Sequence, residues 1–175
     1  TAGMRHRAAL VAGSLALALV GQIPEAAGQG PAPAEWRAFE GSWSISGRRQ
    51  TVATGGGAEA AIVEWRGAVA LSRGDGLGRG FHGQALGFDD GQGVSVGRAV
   101  WTDERGDRVY SRLKGEPLAT GRRIFGTITG GTGRYEGLEG EYSFTWQYVL
   151  AAEGGEFQGR GVRLDGRVRR PGPTP

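Results

Sequence analysis

The chain of 175 residues lacks cysteine and asparagine and contains a single lysine, Lys114. The absence of cysteine excludes disulfides, thiolate nucleophiles and cysteine-ligated zinc, and the absence of asparagine excludes N-linked glycans. Glycine is abundant, at 35 residues, but has no G-X-Y period, which excludes collagen. Apolar residues are frequent enough for a folded core. The composition therefore predicts one compact, turn-rich domain rather than a multi-domain enzyme.

The cations are almost all arginines, and they alternate with carboxylates instead of forming blocks. The formal net charge is +3, and segments such as 103–107 and 163–165 mix both signs. A nucleic-acid-binding surface needs clustered cations. We therefore expect no nucleic-acid partner.

The N-terminus has the layout of an export signal. Arg5 to Arg7 follow Met4, an apolar run extends from Ala8 to Val20, and Ala26-Ala27-Gly28 offers a cleavage site. The alternative, a membrane anchor, needs about 20 apolar residues. We expect a secreted or periplasmic protein with no stable membrane span after cleavage. The predicted segments are a tag residue and signal peptide at 1–28, a linker at 29–37, a barrel domain at 38–169 and a flexible tail at 170–175.

Beyond Trp36 the apolar residues alternate with period two, and seven turn signals separate eight segments. Long strands in simple succession favour an all-β, eight-stranded antiparallel up-and-down barrel over a Greek-key sandwich. Glycines inside the strands are expected at bulges, bends or close backbone approaches. The predicted strands are 39–52, 60–72, 80–88, 94–102, 108–114, 122–129, 135–150 and 157–168.

Alternation predicts one packing face on each strand. In the second strand that face carries Val63, Trp65, Val69 and Leu71, and in the eighth Val162, Leu164 and Val168. The seventh strand has an aromatic stripe from Tyr142 to Tyr148. Such a stripe is typical of a core or of a subunit interface, and the second alternative fits a homo-oligomer.

A glycine-rich turn lies in segment 125–140, where Gly130-Gly131-Thr132-Gly133 precedes Arg134 and Tyr135. These glycines can take positive φ, and Tyr135 can anchor the next strand. The segment resembles the hairpin of the allene oxide cyclase and dirigent-like barrel superfamily. The resemblance implies an eight-stranded barrel over about residues 39–168, and members that are often secreted and, in plants, often oligomeric. The cyclases use a glutamate, an asparagine-held water and a cysteine, and this chain has neither Asn nor Cys.

A second resemblance lies in the first strand. Gly41-Ser42-Trp43 is similar to the G-x-W opening of lipocalins and avidins, and Arg163 or Arg167 on the last strand could stack over the indole. The alternative is a tryptophan that closes the barrel floor. Both resemblances imply an eight-stranded barrel around one hydrophobic cavity.

Polar and aromatic side chains on the middle strands are the candidates for ligand binding. If they face the lumen they could orient an anionic or polyoxygenated ligand; otherwise they form cross-strand ion pairs on the outside. His82, the sole histidine after residue 28, has no nucleophile or orienting acid beside it in the sequence. The ligand-binding candidates are Glu64, Trp65, Arg66, His82, Arg98, Tyr110 and Arg112.

No cofactor or metal motif is complete. Gly74 to Gly78 precedes a strand and lacks the Gly-Lys-Ser or Gly-Lys-Thr of a phosphate loop. Segments 89–91 and 103–107 are acidic but lack calcium-loop spacing, and hairpin-turn chemistry is the alternative. We expect no cofactor and no metal.

The sequence thus predicts an exported barrel that binds a small hydrophobic or amphiphilic molecule or serves as an assembly module. No catalytic constellation is visible. The alternative is a cofactor-free cyclase or isomerase, with Glu64 as the candidate catalytic carboxylate.

Overall fold

The computed structural model describes residues 34–172, which form a closed barrel of eight antiparallel strands in sequence order. The predicted all-β, up-and-down barrel is confirmed. The predicted signal peptide lies outside the described residues, as do positions 29–33 and 173–175. The strands are β1 (Arg37–Gly55), β2 (Ala58–Gly74), β3 (Gly80–Asp89), β4 (Ser95–Thr102), β5 (Arg108–Pro117), β6 (Arg122–Gly131), β7 (Glu139–Ala151) and β8 (Glu156–Arg169).

The barrel closes because β8 pairs with β1 as well as with β7, from Arg37↔Val168 to Arg48↔Glu156. We call the end at which β1 begins the closed end, and the opposite end the open end. Connections 74–80, 102–108 and 131–139 lie at the closed end, and connections 55–58, 89–95, 117–122 and 151–156 lie at the open end. Within 34–172 no helix is both long and apolar enough to cross a membrane.

Aromatic rings fill most of the lumen, and glycines on neighbouring strands make room for them. A Cβ added to Gly83 would come within 2.6 Å of the Trp43 ring, and a Cβ on Gly161 within 2.8 Å of Phe144. A Cβ on Gly126 would overlap the ring of Tyr142. Interiors are packed too densely to absorb such overlaps. Much of the strand glycine is therefore explained by the space that aromatic rings occupy.

The aromatic stripe of β7 belongs to this core. Tyr142, Phe144 and Trp146 are buried, and Trp146 stacks against Trp65 with ring centroids 5.2 Å apart. Only Tyr148, at the open end, is half exposed. The stripe was expected to belong either to the core or to a subunit interface. Three of its four rings belong to the core.

Two local features differ from the predicted strands. Arg163 has φ +52, the one non-glycine residue of 34–172 in the left-handed region, and the bulge there moves Val162 off the face that buries Leu164 and Val168. Tyr135 does not begin β7. It lies in a short 3-10 helix, Gly133–Tyr135, and β7 begins four residues later.

The outer surface of the described strands has an apolar row on β2, β3 and β4. Ile62, Phe88 and Val96 are direct cross-strand neighbours, and each is about half exposed. Leu86, two residues before Phe88 on β3, is also exposed, whereas Phe125 on β6 is separated from Val96 by Lys114 on β5. Large contiguous exposed apolar patches often mark interaction sites. We refer to Ile62, Leu86, Phe88 and Val96 as the apolar row.

Candidate functional site

The closed end is sealed by a charged network. The carboxylate of Asp103, in the β4–β5 turn, is fully buried and accepts hydrogen bonds from the backbone N–H of Arg105 and of Asp107. Arg134, in the 3-10 helix, donates to it through Nε at 2.8 Å. The Tyr135 hydroxyl accepts a hydrogen bond from the backbone N–H of Gly78. The three connections of this end are therefore tied together.

The network shifts the pKa values of Asp103 and Tyr135. Burial by itself would raise the pKa of Asp103, but hydrogen bonds from the Arg105 backbone and the Arg134 side chain outweigh it and lower that pKa. Burial, together with the hydrogen bond to Asp103, raises the pKa of Tyr135 to about 12. The Asp103 carboxylate is thus ionised and paired. Its role is structural, and it is not a general acid or base.

A cavity of about 80 Å³ lies in the lumen near the open end. Its walls are of two kinds. One side carries the stacked indoles of Trp65 and Trp146, and the other carries small residues on β3, β4 and β5. The small residues are Ala85, Gly87, Ser95, Gly97 and Gly115.

The cavity is open at Gly87, where no ring of the chain lies. A Cβ on Gly87 would have only the Val96 carbonyl oxygen within 4 Å, at 3.6 Å, whereas a Cβ on Gly97 would be crowded by the backbone of β3. Elsewhere in the lumen, glycines such as Gly83 and Gly126 face an aromatic ring. The packing of aromatic rings against glycines, which fills other parts of the core, is therefore incomplete at this cavity.

Three charged side chains line the cavity. Asp89, at the end of β3, forms an ion pair with Arg122, at the start of β6, across the intervening strands β4 and β5. Arg49 has no ionic partner among residues 34–172, and its Nε is buried without a hydrogen bond. The indole Nε1 of Trp65 is also buried and unpaired. Both nitrogens are covered by neighbouring atoms, as are the indole Nε1 atoms of Trp43 and Trp101 in the packed core, so the charge of Arg49 is the distinctive polar feature of the cavity lining.

Of the seven ligand-binding candidates from the sequence, only Trp65 lines this cavity. Glu64 and Arg66 lie on the outer face of β2, where they form an ion pair with each other. The alternative left open by the sequence was an ion pair between strands on the outside; the pair observed is on the outside but lies within β2. Glu64 is thereby separated from the lumen by the wall of the barrel.

The remaining candidates also lie on the outer face. His82 and Arg98 are exposed on β3 and β4. Arg112 lies directly across from Arg98, and Tyr110 across from Val100. Glu64, Arg66 and Arg98 share a shallow groove on this outer surface, whereas His82 lies nearer the closed end.

The acidic turns are built from side-chain hydrogen bonds. Asp90 Oδ1 accepts from the backbone N–H of Gln92 and of Val94, and these bonds lower its pKa. Asp89 Oδ1 accepts from the backbone N–H of Gly91. Residues 34–172 contain no group of three or more His, Cys, Asp or Glu side chains arranged to hold a metal. The contacts are those expected from hairpin-turn chemistry.

The predicted stacking of Arg163 or Arg167 over Trp43 is not found among residues 34–172. Arg167 and Arg169 each lie with the guanidinium carbon 4.5 Å from the ring centre of Trp36, at the outside of the closed end. Trp43 is fully buried among Trp65, Trp101 and Phe144. It therefore belongs to the packed lumen.

Sequence reasoning missed Arg49, Asp89 and Arg122. A signal for Arg49 was present, because Trp43, Ile45, Gly47 and Arg49 share one phase of the β1 alternation. An arginine in phase with a buried tryptophan indicates an inward-facing charge. The same signal marks Asp89, which is in phase with Phe81 and Ala85, and Arg122, which is in phase with Ile124. The pairing of Asp89 with Arg122 has no local signal, because it depends on the curvature of the closed sheet.

Comparison of the chain with protein-family models, with curated proteins and with solved structures finds no match.

Proposed function

We propose that this chain is an exported single-domain barrel that binds a small hydrophobic or amphiphilic molecule in the lumen, without a cofactor. The observation that supports it best is the cavity near the open end, which has an indole wall, a wall of small residues and one arginine, Arg49, without an ionic partner among residues 34–172. Ligand sites are typically concave and apolar, with a few converging polar groups. Export rests on the signal-peptide layout of residues 4–28.

We further propose a relationship with the allene oxide cyclase and dirigent-like superfamily, with lipocalin-like barrels as the rival. The eight-stranded antiparallel barrel supports both. The turn in segment 125–140 favours the first, since Gly130 and Gly133 have positive φ and Tyr135 is buried against the lumen. The G-x-W resemblance has less support, because Arg167 stacks on Trp36.

The cyclase or isomerase alternative lacks geometric support at its proposed residue. Glu64 is on the outer face and is neutralised by Arg66. The carboxylate that does line the cavity, Asp89, is neutralised by Arg122. Binding therefore remains the function that the site supports best.

Native mass spectrometry of the protein, incubated with a panel of small apolar and amphiphilic compounds, tests the proposal. We expect at least one compound to bind with one molecule per barrel. Gly87→Ala should weaken that binding, because it adds a methyl group to the cavity without a clash, and Gly80→Ala is the matched control since its Cβ meets no atom within 4 Å. Binding that is absent, or that is unchanged in Gly87→Ala, would contradict a lumen site.

A further inference from the structure

The part of the lumen that no aromatic ring of the chain fills defines the shape of a ligand. Trp65 and Trp146 present flat indole surfaces on one side of the cavity, and Gly87 leaves part of the opposite wall bare. At other lumen glycines, such as Gly83, Gly126 and Gly161, an aromatic ring of the chain occupies this space. A planar ring placed over Gly87 would complete the packing of the core.

The size of the cavity limits the ligand to about one ring. Its volume of about 80 Å³ is well below the roughly 300–1,000 Å³ of sites for drug-sized ligands. It exceeds the roughly 30 Å³ that one water molecule takes up in the liquid. A long alkyl chain could not be enclosed there. The half-exposed Tyr148 lines the same cavity, so substituents of the ring can reach the surface beside it.

The charges of the cavity define the polar group of the ligand. Asp89 and Arg122 neutralise each other, so Arg49 leaves the cavity lining with one net positive charge. Burying a charge that has no partner is unfavourable, and hydrogen bonds between a cation and an anionic oxygen are the stronger kind. A ligand with one anionic oxygen group would neutralise Arg49.

We propose that the cavity binds a compact aromatic monoanion, a single ring that carries one carboxylate. The ring lies over Gly87 against the indole of Trp65. The carboxylate pairs with the guanidinium of Arg49. This inference rests on the proposed function, and it narrows the ligand by shape and charge.

Isothermal titration calorimetry with four probes tests each part of the inference. Benzoate has the ring and the charge, benzyl alcohol has the ring alone, cyclohexanecarboxylate has the charge on a ring that is not planar, and octanoate is a chain. We expect benzoate to bind at least tenfold more tightly than each of the other three. Chemical shifts of the Gly87, Gly97 and Trp65 amides should move during the same titration.

Arg49→Gln tests the charged contact. We expect it to weaken benzoate binding at least tenfold and to leave benzyl alcohol binding unchanged. Arg48→Gln is the matched control, because Arg48 is exposed on the outer face of β1. Arg49→Lys keeps the charge if Arg49→Gln does not fold, and should bind benzoate better than benzyl alcohol.

The outcomes separate the two proposals. If octanoate or benzyl alcohol binds as well as benzoate, and Gly87→Ala weakens that binding, the aromatic-anion inference is wrong and the lumen-binding function stands. If benzoate binds equally to wild type and Arg49→Gln, the assignment of the carboxylate to Arg49 is overturned. If no probe binds and no cavity amide shifts, this inference fails, and the wider compound panel decides whether the proposed function fails with it.

Discussion

Arg134 holds the buried carboxylate of Asp103 through two nitrogen atoms, with Nε at 2.8 Å and Nη2 at 2.7 Å from Oδ2. The other carboxylate oxygen accepts two backbone N–H groups of its own turn. No hydrogen-bonding capacity of Asp103 is left for a ligand. The contact therefore joins the β4–β5 and β6–β7 connections and makes one end of the barrel rigid.

Asp103→Asn should lower the free energy of unfolding by about 2 kcal/mol at neutral pH, since it removes hydrogen bonds to a charged group and leaves Arg134 without its buried partner. Urea unfolding measures the change. Glu104→Gln is the control, because Glu104 also contacts Arg134 but is well exposed. Exposed ion pairs contribute about 0–1 kcal/mol. Equal effects of the two substitutions would contradict a structural role for Asp103.

Acid should destabilise the barrel through the same residue. The pKa of Asp103 in the fold lies below its usual 3.8, so the folded state binds the proton less well than the unfolded chain. The stabilisation is complete above about pH 4 and is lost as the pH falls through the lowered pKa. In the Asp103→Asn variant, the free energy of unfolding should depend less on pH in this acidic range. A curve identical to that of wild type would show that other carboxylates govern acid unfolding.

Alkaline pH should destabilise the fold through buried tyrosines. Burial raises the pKa of Tyr135 to about 12 and raises that of Tyr142 further. The unfolded chain ionises both from about pH 10, whereas the folded chain keeps them neutral. Stability is therefore complete below pH 10 and should fall above it, by up to about 1.4 kcal/mol per pH unit for each group. Tyr142→Phe should reduce this slope in chemical denaturation, and Tyr148→Phe, at a half-exposed position, should not.

Gly126→Ala should destabilise the protein by about 1–3 kcal/mol, the usual cost of overpacking a core. The new methyl group would overlap the ring of Tyr142. Gly80→Ala adds the same group at a strand position where no atom lies within 4 Å, and should change stability by less than about 0.5 kcal/mol. Thermal unfolding of the two variants distinguishes a steric role of glycine from a purely conformational one.

The sequence predicted self-association through the aromatic stripe of β7, but three of its four rings are buried in the core. We now expect self-association to depend on the apolar row. Ion pairs lie beside the row, Glu64 with Arg66 and Lys114 with Glu116, so that a second copy could meet opposite charges. Phe88→Glu should shift the protein to a monomer in sedimentation velocity. Leu150→Glu, an exposed position at the open end, serves as the control. A monomeric wild type would show that the prediction of an oligomer is wrong.

The strands could be predicted closely because turns and alternation are local signals. β3 and β6 begin at the predicted Gly80 and Arg122. The orientation of the faces could not be predicted, since alternation separates Trp65 from Glu64 and Arg66 without saying which side meets the lumen. The bulge at Arg163 and the start of β7 also escaped prediction, because a positive φ at arginine and a short 3-10 helix have no strong sequence signal.

The candidate site could be predicted less well than the fold. Trp65 was identified because its residue type is informative by itself. The Asp89–Arg122 ion pair depends on closure across two intervening strands, and the cavity depends on which glycines lack a ring above them. Both are properties of the assembled barrel.

The pairing of β8 with β1 has a consequence for how the protein acquires its structure. Arg37 and Val168 are register partners although nearly the whole described chain separates them. Contacts so distant in sequence slow folding, because the chain must lose the conformational entropy of a long loop before the contact can stabilise the fold. The ribosome must therefore release β8 before β8 can pair with β1 and close the barrel. We expect nascent or C-terminally truncated chains to remain susceptible to proteases.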